Sequence, residues 1–368
     1  MKRNKTKTRK KKLRLRSKIS LKDEPNKISN FVMDAGPGCY IVREDHRGVS
    51  LEWERVDPHD YSADEEVPDI ALDPEEQTLS LCNIDPCWKV AYITVYETNC
   101  VGADGHPLVA GSTTDNQGQT NSCITFIVLC TPYTFVHLCY LDTDQLLNVQ
   151  IDSDVQEWKK HPSPDDYHPQ TLLFPLQGGP YLCTQAENGY LTHFMSGNLH
   201  ALDFQCPVGT PILAVANAIV LEVTTGNSLT GIAVSNLFIW NSILLQLEDT
   251  HTTTCTSQPK SDPKQTPLFV EYVHIQSSYV RPGDRVTAGQ VLGTSGSVGF
   301  SPEPHLHFAA YRSAEPHAPT VRVSLLTKIL NEHDSAVPLI PMAGFYYVGD
   351  QNIETNNSIS LPLVNEIS

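Results

Sequence analysis

Along this chain the apolar residues fall in short runs, not at helical spacing. Residues 88–96 (WKVAYITVY), 124–129 (ITFIVL) and 135–140 (FVHLCY) are rich in β-branched and aromatic residues, and turn clusters such as GADGH and TTDNQGQTN divide them. That is the signature of strands. The same pattern resumes from Leu172 in residues 212–215, 219–223, 243–247, 268–275, 291–292 and 305–311, and no 3.6-residue period is found before residue 321. The expected fold class is therefore mainly β: a small β-rich N-terminal domain over residues 80–155, a Pro-rich linker over 156–171, and a second β domain over 172–335.

The flanks read differently. Residues 1–30 are expected to form a disordered basic tail, 31–79 an acidic linker or loop region, and 336–368 a C-terminal tail. Residues 1–18 hold 11 of the 26 Lys and Arg and none of the 42 Asp and Glu. The remainder is thus strongly acidic, which excludes general nucleic-acid binding except through the basic tail. That tail is expected to be a solvated head, with a nuclear address or an anionic contact as its alternatives. Neither a basic-then-apolar export signal nor an apolar run of 18 residues is found, so no membrane span is expected and the cytoplasm or nucleus is the expected location. The ten cysteines include no Cys-x-x-Cys pair and read mostly as buried thiols in a reducing compartment.

The candidate chemistry lies in Pro304-His305-Leu306-His307-Phe308. In an extended strand, His305 and His307 point to one face, so one can hold a metal while the other works beside it. Alone, the pair reads more simply as two half-exposed strand histidines, since a two-ligand fragment is a weak signal. His161, Asp165 and His168 in the linker read as hydrated linker residues before metal ligands. The polar stretch 248–267 reads as a loop between strands, and glycines 283, 289, 293, 296 and 299 as turn or close-approach positions.

Three segments give the pair partners: His193 followed by Asp203-Phe-Gln-Cys-Pro-Val-Gly-Thr-Pro, Glu271-Tyr-Val-His-Ile275, and Gly283 through Pro304-His-Leu-His-Phe308. Together they closely resemble the M23 family of zinc metallopeptidases, of LytM and lysostaphin type, over about residues 172–312. The resemblance implies an antiparallel β-sheet peptidase domain with a groove. It implies His193, Asp203 and His307 as ligands of one Zn²⁺ per chain, and His274 and His305 as the catalytic histidines that orient and deprotonate water and stabilise an oxyanion. Two imidazoles and a carboxylate leave tetrahedral zinc an open position for water.

The implied substrate is a Gly- or Ala-rich peptide of the peptidoglycan type. The chain departs from the compact His-x-Gly-x-Asp form, because Leu199 stands four residues before Asp203. His193 fits a longer variant of the motif, and His200 is the alternative first ligand. Cys206 is a further conceivable ligand, with core burial as its simpler reading. Residues 224–267 exceed a simple hairpin loop, so one rim of the groove is expected to be altered. The rival reading is a catalytically silent module that binds peptidoglycan or a protein partner. A biotinyl or lipoyl carrier, which Gly283–Leu292 also resembles, is excluded because no lysine lies between residues 265 and 327.

Overall fold

The alternation of apolar positions sorts each central strand between two cores. The structure, a computed structural model, describes residues 36–45, 50–61, 67–97, 99–141, 149–159, 169–195, 197–248, 267–316, 318–332 and 335–349. Among them the regular structure is β, broken only by the short 3₁₀ turns Pro58–Asp60 and Val234–Asn236. No helix of the described residues is long and apolar enough to cross a membrane. The mainly β reading of the sequence is what the structure shows.

The strand Trp88–Tyr96 pairs antiparallel with Gln150–Trp158 on one side and Thr120–Cys130 on the other. Its six consecutive buried residues follow from a place between two layers. Ala91, Ile93 and Val95 face a core shared with Leu79, Leu81, Val136 and Leu138 of a five-stranded sheet. Val90 and Tyr92 point the other way, into a cluster with Phe194, Ile232, Val234 and Phe300. The seven-stranded sheet also runs on through Gly111–Thr114, Thr230–Gly231 and Gly299–Phe300. The N-terminal strands are thereby tied to the C-terminal half by a ladder and by a shared core.

The segment expected as an acidic linker contributes the strands Cys39–Arg43, Glu52–Arg55 and Ile70–Asp73. Its short apolar pieces are sufficient to dock: Cys39–Arg43 lies parallel to Thr120–Cys130, with Val42 fully buried. Its acids serve the edges, as where Asp69 pairs with Lys89 at 2.7 Å and Asp73 accepts from the N–H groups of Glu75 and Glu76. The basic tail 1–30 lies outside the described residues.

The C-terminal half is built on an eleven-stranded sheet. Its centre runs Tyr181–Gln185, Leu202–Gln205, His305–Tyr311, Phe269–Val273, Ser242–Leu247 and Ala218–Thr224. Each successive pair in that run is antiparallel. Tyr272, Phe308, Phe204 and Leu306 are fully buried on one face. Burying such side chains stabilises by roughly 1.5–3 kcal/mol each, so this face fixes the register that aims the other face. Strands Val337–Leu339 and Tyr346–Gly349 also belong to this sheet, with Tyr347 only 1% exposed, so residues expected as a tail complete the domain.

Candidate metal centre and catalytic groove

Register places the site. In the ladder between Leu202–Gln205 and His305–Tyr311, Asp203 stands opposite His307 and Gln205 opposite His305. Asp203, His305 and His307 therefore share one face, while Phe204, Leu306 and Phe308 take the core. The first candidate ligand arrives from outside the sheet, on a turn. His193 Nε2 lies 3.2 Å from Asp203 Oδ2 and 3.3 Å from His307 Nδ1, and His307 Nδ1 lies 2.8 Å from Asp203 Oδ1.

One donor atom from each of His193, Asp203 and His307 thus lies within 4.8 Å of the others. Metal–ligand bonds of about 2.0–2.2 Å at tetrahedral angles put donor atoms roughly 3.3 Å apart. The residues therefore fit a zinc ion in both chemistry and spacing. His193 Nδ1 donates to the Ala186 carbonyl at 3.2 Å, which leaves Nε2 with its lone pair toward the cluster. Burial alone would raise the Asp203 carboxyl, but His193, His305 and His307 around it hold it well below the usual carboxylate range.

The two remaining histidines are oriented by main-chain carbonyls. His305 Nδ1 donates to Glu303 O at 2.8 Å, with Ser301 Oγ at 3.2 Å, and its Nε2 is 3.9 Å from Asp203 Oδ1. His274 Nδ1 donates to Val298 O at 2.7 Å, and its ring lies 4.6 Å from that of His305. A carbonyl can only accept, so both rings hold a proton on Nδ1. Burial, then the neighbouring His305 and His307, pushes His274 well below the usual histidine range, so it is neutral at pH 7.

His274 was expected inside a strand and is found at a break between two. Its φ of 64° ends Phe269–Val273 and starts Ile275–Ser278, which belongs to another sheet. A left-handed non-glycine residue is costly and persists only where packing over-determines it. Gly296 allows the chain to approach closely here: a Cβ there would stand 2.7 Å from the His274 carbonyl oxygen.

His200 sits in a second network. Its Nδ1 is 3.3 Å from Glu187 Oε2, its main-chain N–H donates to Thr320 Oγ1 at 3.0 Å, and Arg322 pairs with the same Glu187. Burial opposes the Glu187 carboxylate, yet Arg322 and His200 hold it below its usual range. Cys206 is packed in the core, its thiol pushed up by burial, and is absent from the donor cluster. His161, Asp165, His168 and Cys255 lie outside the described residues, as does most of the expected loop 248–267.

Several residues that shape the site carry no signature in the sequence. Gln185 Nε2 donates to Asp203 Oδ2 at 2.7 Å, while its Oε1 accepts from the N–H groups of Leu191 and Thr192. It links the carboxylate to the turn that bears His193. The N-terminal sheet grips the same turn on both sides: Tyr92 Oη donates to Leu191 O at 2.7 Å, and Trp158 Nε1 to Phe194 O at 3.1 Å. Leu237, Phe238 and Trp240, from the segment expected to alter one rim, line a cavity of about 60 Å³ with His274, His305 and His307.

The β groove carries a His₂Asp set that could hold a metal ion, beside two histidines oriented by main-chain carbonyls. Peptidase family M23 matches residues 263–319, and the C-terminal half carries a domain of that family. The chain is 32% identical over 112 residues to a glycyl-glycine endopeptidase of Staphylococcus capitis, covering 30% of this chain and 24% of that protein. It is 29% identical over 119 residues to a peptidoglycan DD-endopeptidase of Vibrio cholerae, covering 32% and 21%. The solved catalytic domain of lysostaphin from Staphylococcus simulans matches at 26% identity, over 39% of this chain and 85% of that one, with a TM-score of 0.25. The matched stretch spans under a quarter of the length of either endopeptidase relative.

Proposed function

We propose that this chain is a zinc-dependent endopeptidase acting on Gly- or Ala-rich peptides of the peptidoglycan type. The observation that carries the reading is the convergence of His193 Nε2, Asp203 and His307 Nδ1 within 4.8 Å, beside two histidines whose Nδ1 protons are spent on carbonyls. His193, Asp203 and His307 would hold one Zn²⁺ per chain. When bound, the ion would supply an acidified water and polarise the scissile carbonyl.

The protein's own residues set the proton path. With its ring neutral and its Nδ1 proton on Val298 O, His274 begins as an Nε2 acceptor that can orient a water O–H, and His305, its Nδ1 proton spent on Glu303 O, presents its Nε2 beside it. The one that takes the proton becomes a cation held by its Nδ1–carbonyl contact, and its new Nε2–H can then donate to the developing oxyanion or pass to the leaving amine. Leu237, Phe238 and Trp240 close one side of the cavity and limit water around the reacting bond.

The names of the two relatives, one a glycyl-glycine and one a peptidoglycan endopeptidase, support the substrate class. The test is hydrolysis of peptidoglycan and of pentaglycine by the chain as isolated, after chelation, and after zinc is restored. Activity that vanishes and returns with stoichiometric zinc is the expected result. Stoichiometric zinc with neither substrate cleaved would overturn the reading in favour of a binding module.

A further inference from the structure

Glu271 is a groove carboxylate for which the proton path has no use. Its strand partner is Ala309, and Val273, two residues on, stands opposite His307. Glu271 and His307 are therefore diagonal neighbours on the site face, about 7–8 Å apart in such a ladder. The Glu271 side chain lines the narrow cavity with His274, His305 and His307, and also an adjoining hollow of about 700 Å³.

Its surroundings are those of a carboxylate made to receive a cation. The Tyr311 hydroxyl donates to Oε2 at 3.3 Å, which holds the group in place without neutralising it. Among the described residues no Lys or Arg lines either cavity, and the hollow adds Glu222 and Glu315. Burial pushes the Glu271 carboxyl up, although His307, Ser242 and Tyr311 draw it back. A partly desolvated carboxylate held by neutral donors gains most from a charge-assisted partner.

We propose that Glu271 receives a primary ammonium group of the substrate, so that the preferred peptide carries an amine near the scissile bond. An extended peptide advances about 3.4 Å per residue, and the distance from His307 to Glu271 then corresponds to about two residues. A lysine-like side chain and a free amino terminus offer the same group. The position of the cleaved bond rests on the endopeptidase reading, whereas binding of the amine does not.

The experiment uses the zinc-loaded full chain and four fluorescent Gly-rich peptides. One pair carries lysine or acetyl-lysine two residues from a central Gly-Gly bond, and the other a free or an acetylated amino terminus. Binding is read by anisotropy and cleavage by chromatography. The wild type is expected to bind one cationic peptide about tenfold tighter than its acetylated twin, the scale of a single charge-assisted contact. Which pair shows the preference identifies the source of the amine. Glu271→Gln is expected to bring that ratio below about twofold, the change expected when one charge-assisted contact is lost. Equal binding of both twins by the wild type, which needs no variant, would overturn the proposal. A tenfold ratio retained in Glu271→Gln would overturn it as well. A preference in binding with no peptide cleaved would support the amine site and sink the endopeptidase reading instead.

Discussion

The Tyr92 hydroxyl donates to the carbonyl of Leu191 at 2.7 Å, across 99 residues of sequence and two residues ahead of His193. With Trp158 bonded to Phe194 O on the other flank, the N-terminal sheet brackets the candidate ligand. Tyr92 itself is buried in the cluster that contains Phe194 and Phe300. The N-terminal strands thereby help to position the candidate ligand.

Removing that hydroxyl should therefore act on zinc before it acts on folding. In Tyr92→Phe the aromatic packing remains and one hydrogen bond is lost, a change of about 1 kcal/mol. Zinc affinity, measured by competition with a chelating dye, should fall about fivefold if the loss falls on the turn. Combining it with Trp158→Phe should deepen the fall. Unchanged zinc affinity in the double variant would mean that the turn holds His193 unaided.

Gln185 should matter more, because it touches both the carboxylate and the turn. Gln185→Ala leaves Asp203 Oδ2 without its 2.7 Å donor and the N–H groups of Leu191 and Thr192 without an acceptor. Loss of such an outer partner typically costs 10–100-fold in metal affinity. Gln185→Glu should not rescue it, since a second carboxylate cannot donate to Asp203 at neutral pH. Dye competition on both variants checks this.

The choice between the two histidines separates cleanly. His193→Ala should lose zinc, whereas His200→Ala should retain it and lose thermal stability, by about 1–3 kcal/mol for a broken buried polar contact. Metal content after dialysis and a thermal melt, run on each variant, distinguish the outcomes.

The Glu187 network predicts an acid dependence with a definite sign. Its carboxyl is held below its ordinary value of 4.5 in the folded state, so its contribution is present above that value and lost as pH falls through the lower folded value. Arg322→Met removes the paired cation, and its melting temperature should lie below that of the wild type at pH 7. The gap should narrow below pH 4.5. A gap constant from pH 7 to pH 3 would show that Glu187 is not the group responsible.

How much of this was legible in the sequence follows from where each residue sits. His305 and His307 are two apart in a strand, and their common face with Asp203 follows from a period of 2. The mainly β class follows from the same alternation. The position of His193 rests on contacts with Tyr92 and Trp158 made across 99 and 36 residues, and no local pattern encodes these. Resemblance alone pointed to His193. The strands at Cys39–Arg43 and Ile70–Asp73 escaped notice because acidic turns dilute their apolar pieces. His274 reads as a strand residue because its neighbours alternate like a strand, and nothing in that pattern marks its left-handed φ or the close approach of Gly296.

The central claim is that His305 performs chemistry at a site whose metal His193, Asp203 and His307 hold. It is tested most directly by zinc content and pentaglycine hydrolysis measured on the same preparations of wild type and His305→Ala. The account predicts equal, stoichiometric zinc in both and a loss of hydrolysis of about 10²–10⁴-fold in the variant, the range for a positioned proton-transfer group. Full zinc with undiminished hydrolysis in His305→Ala would contradict it.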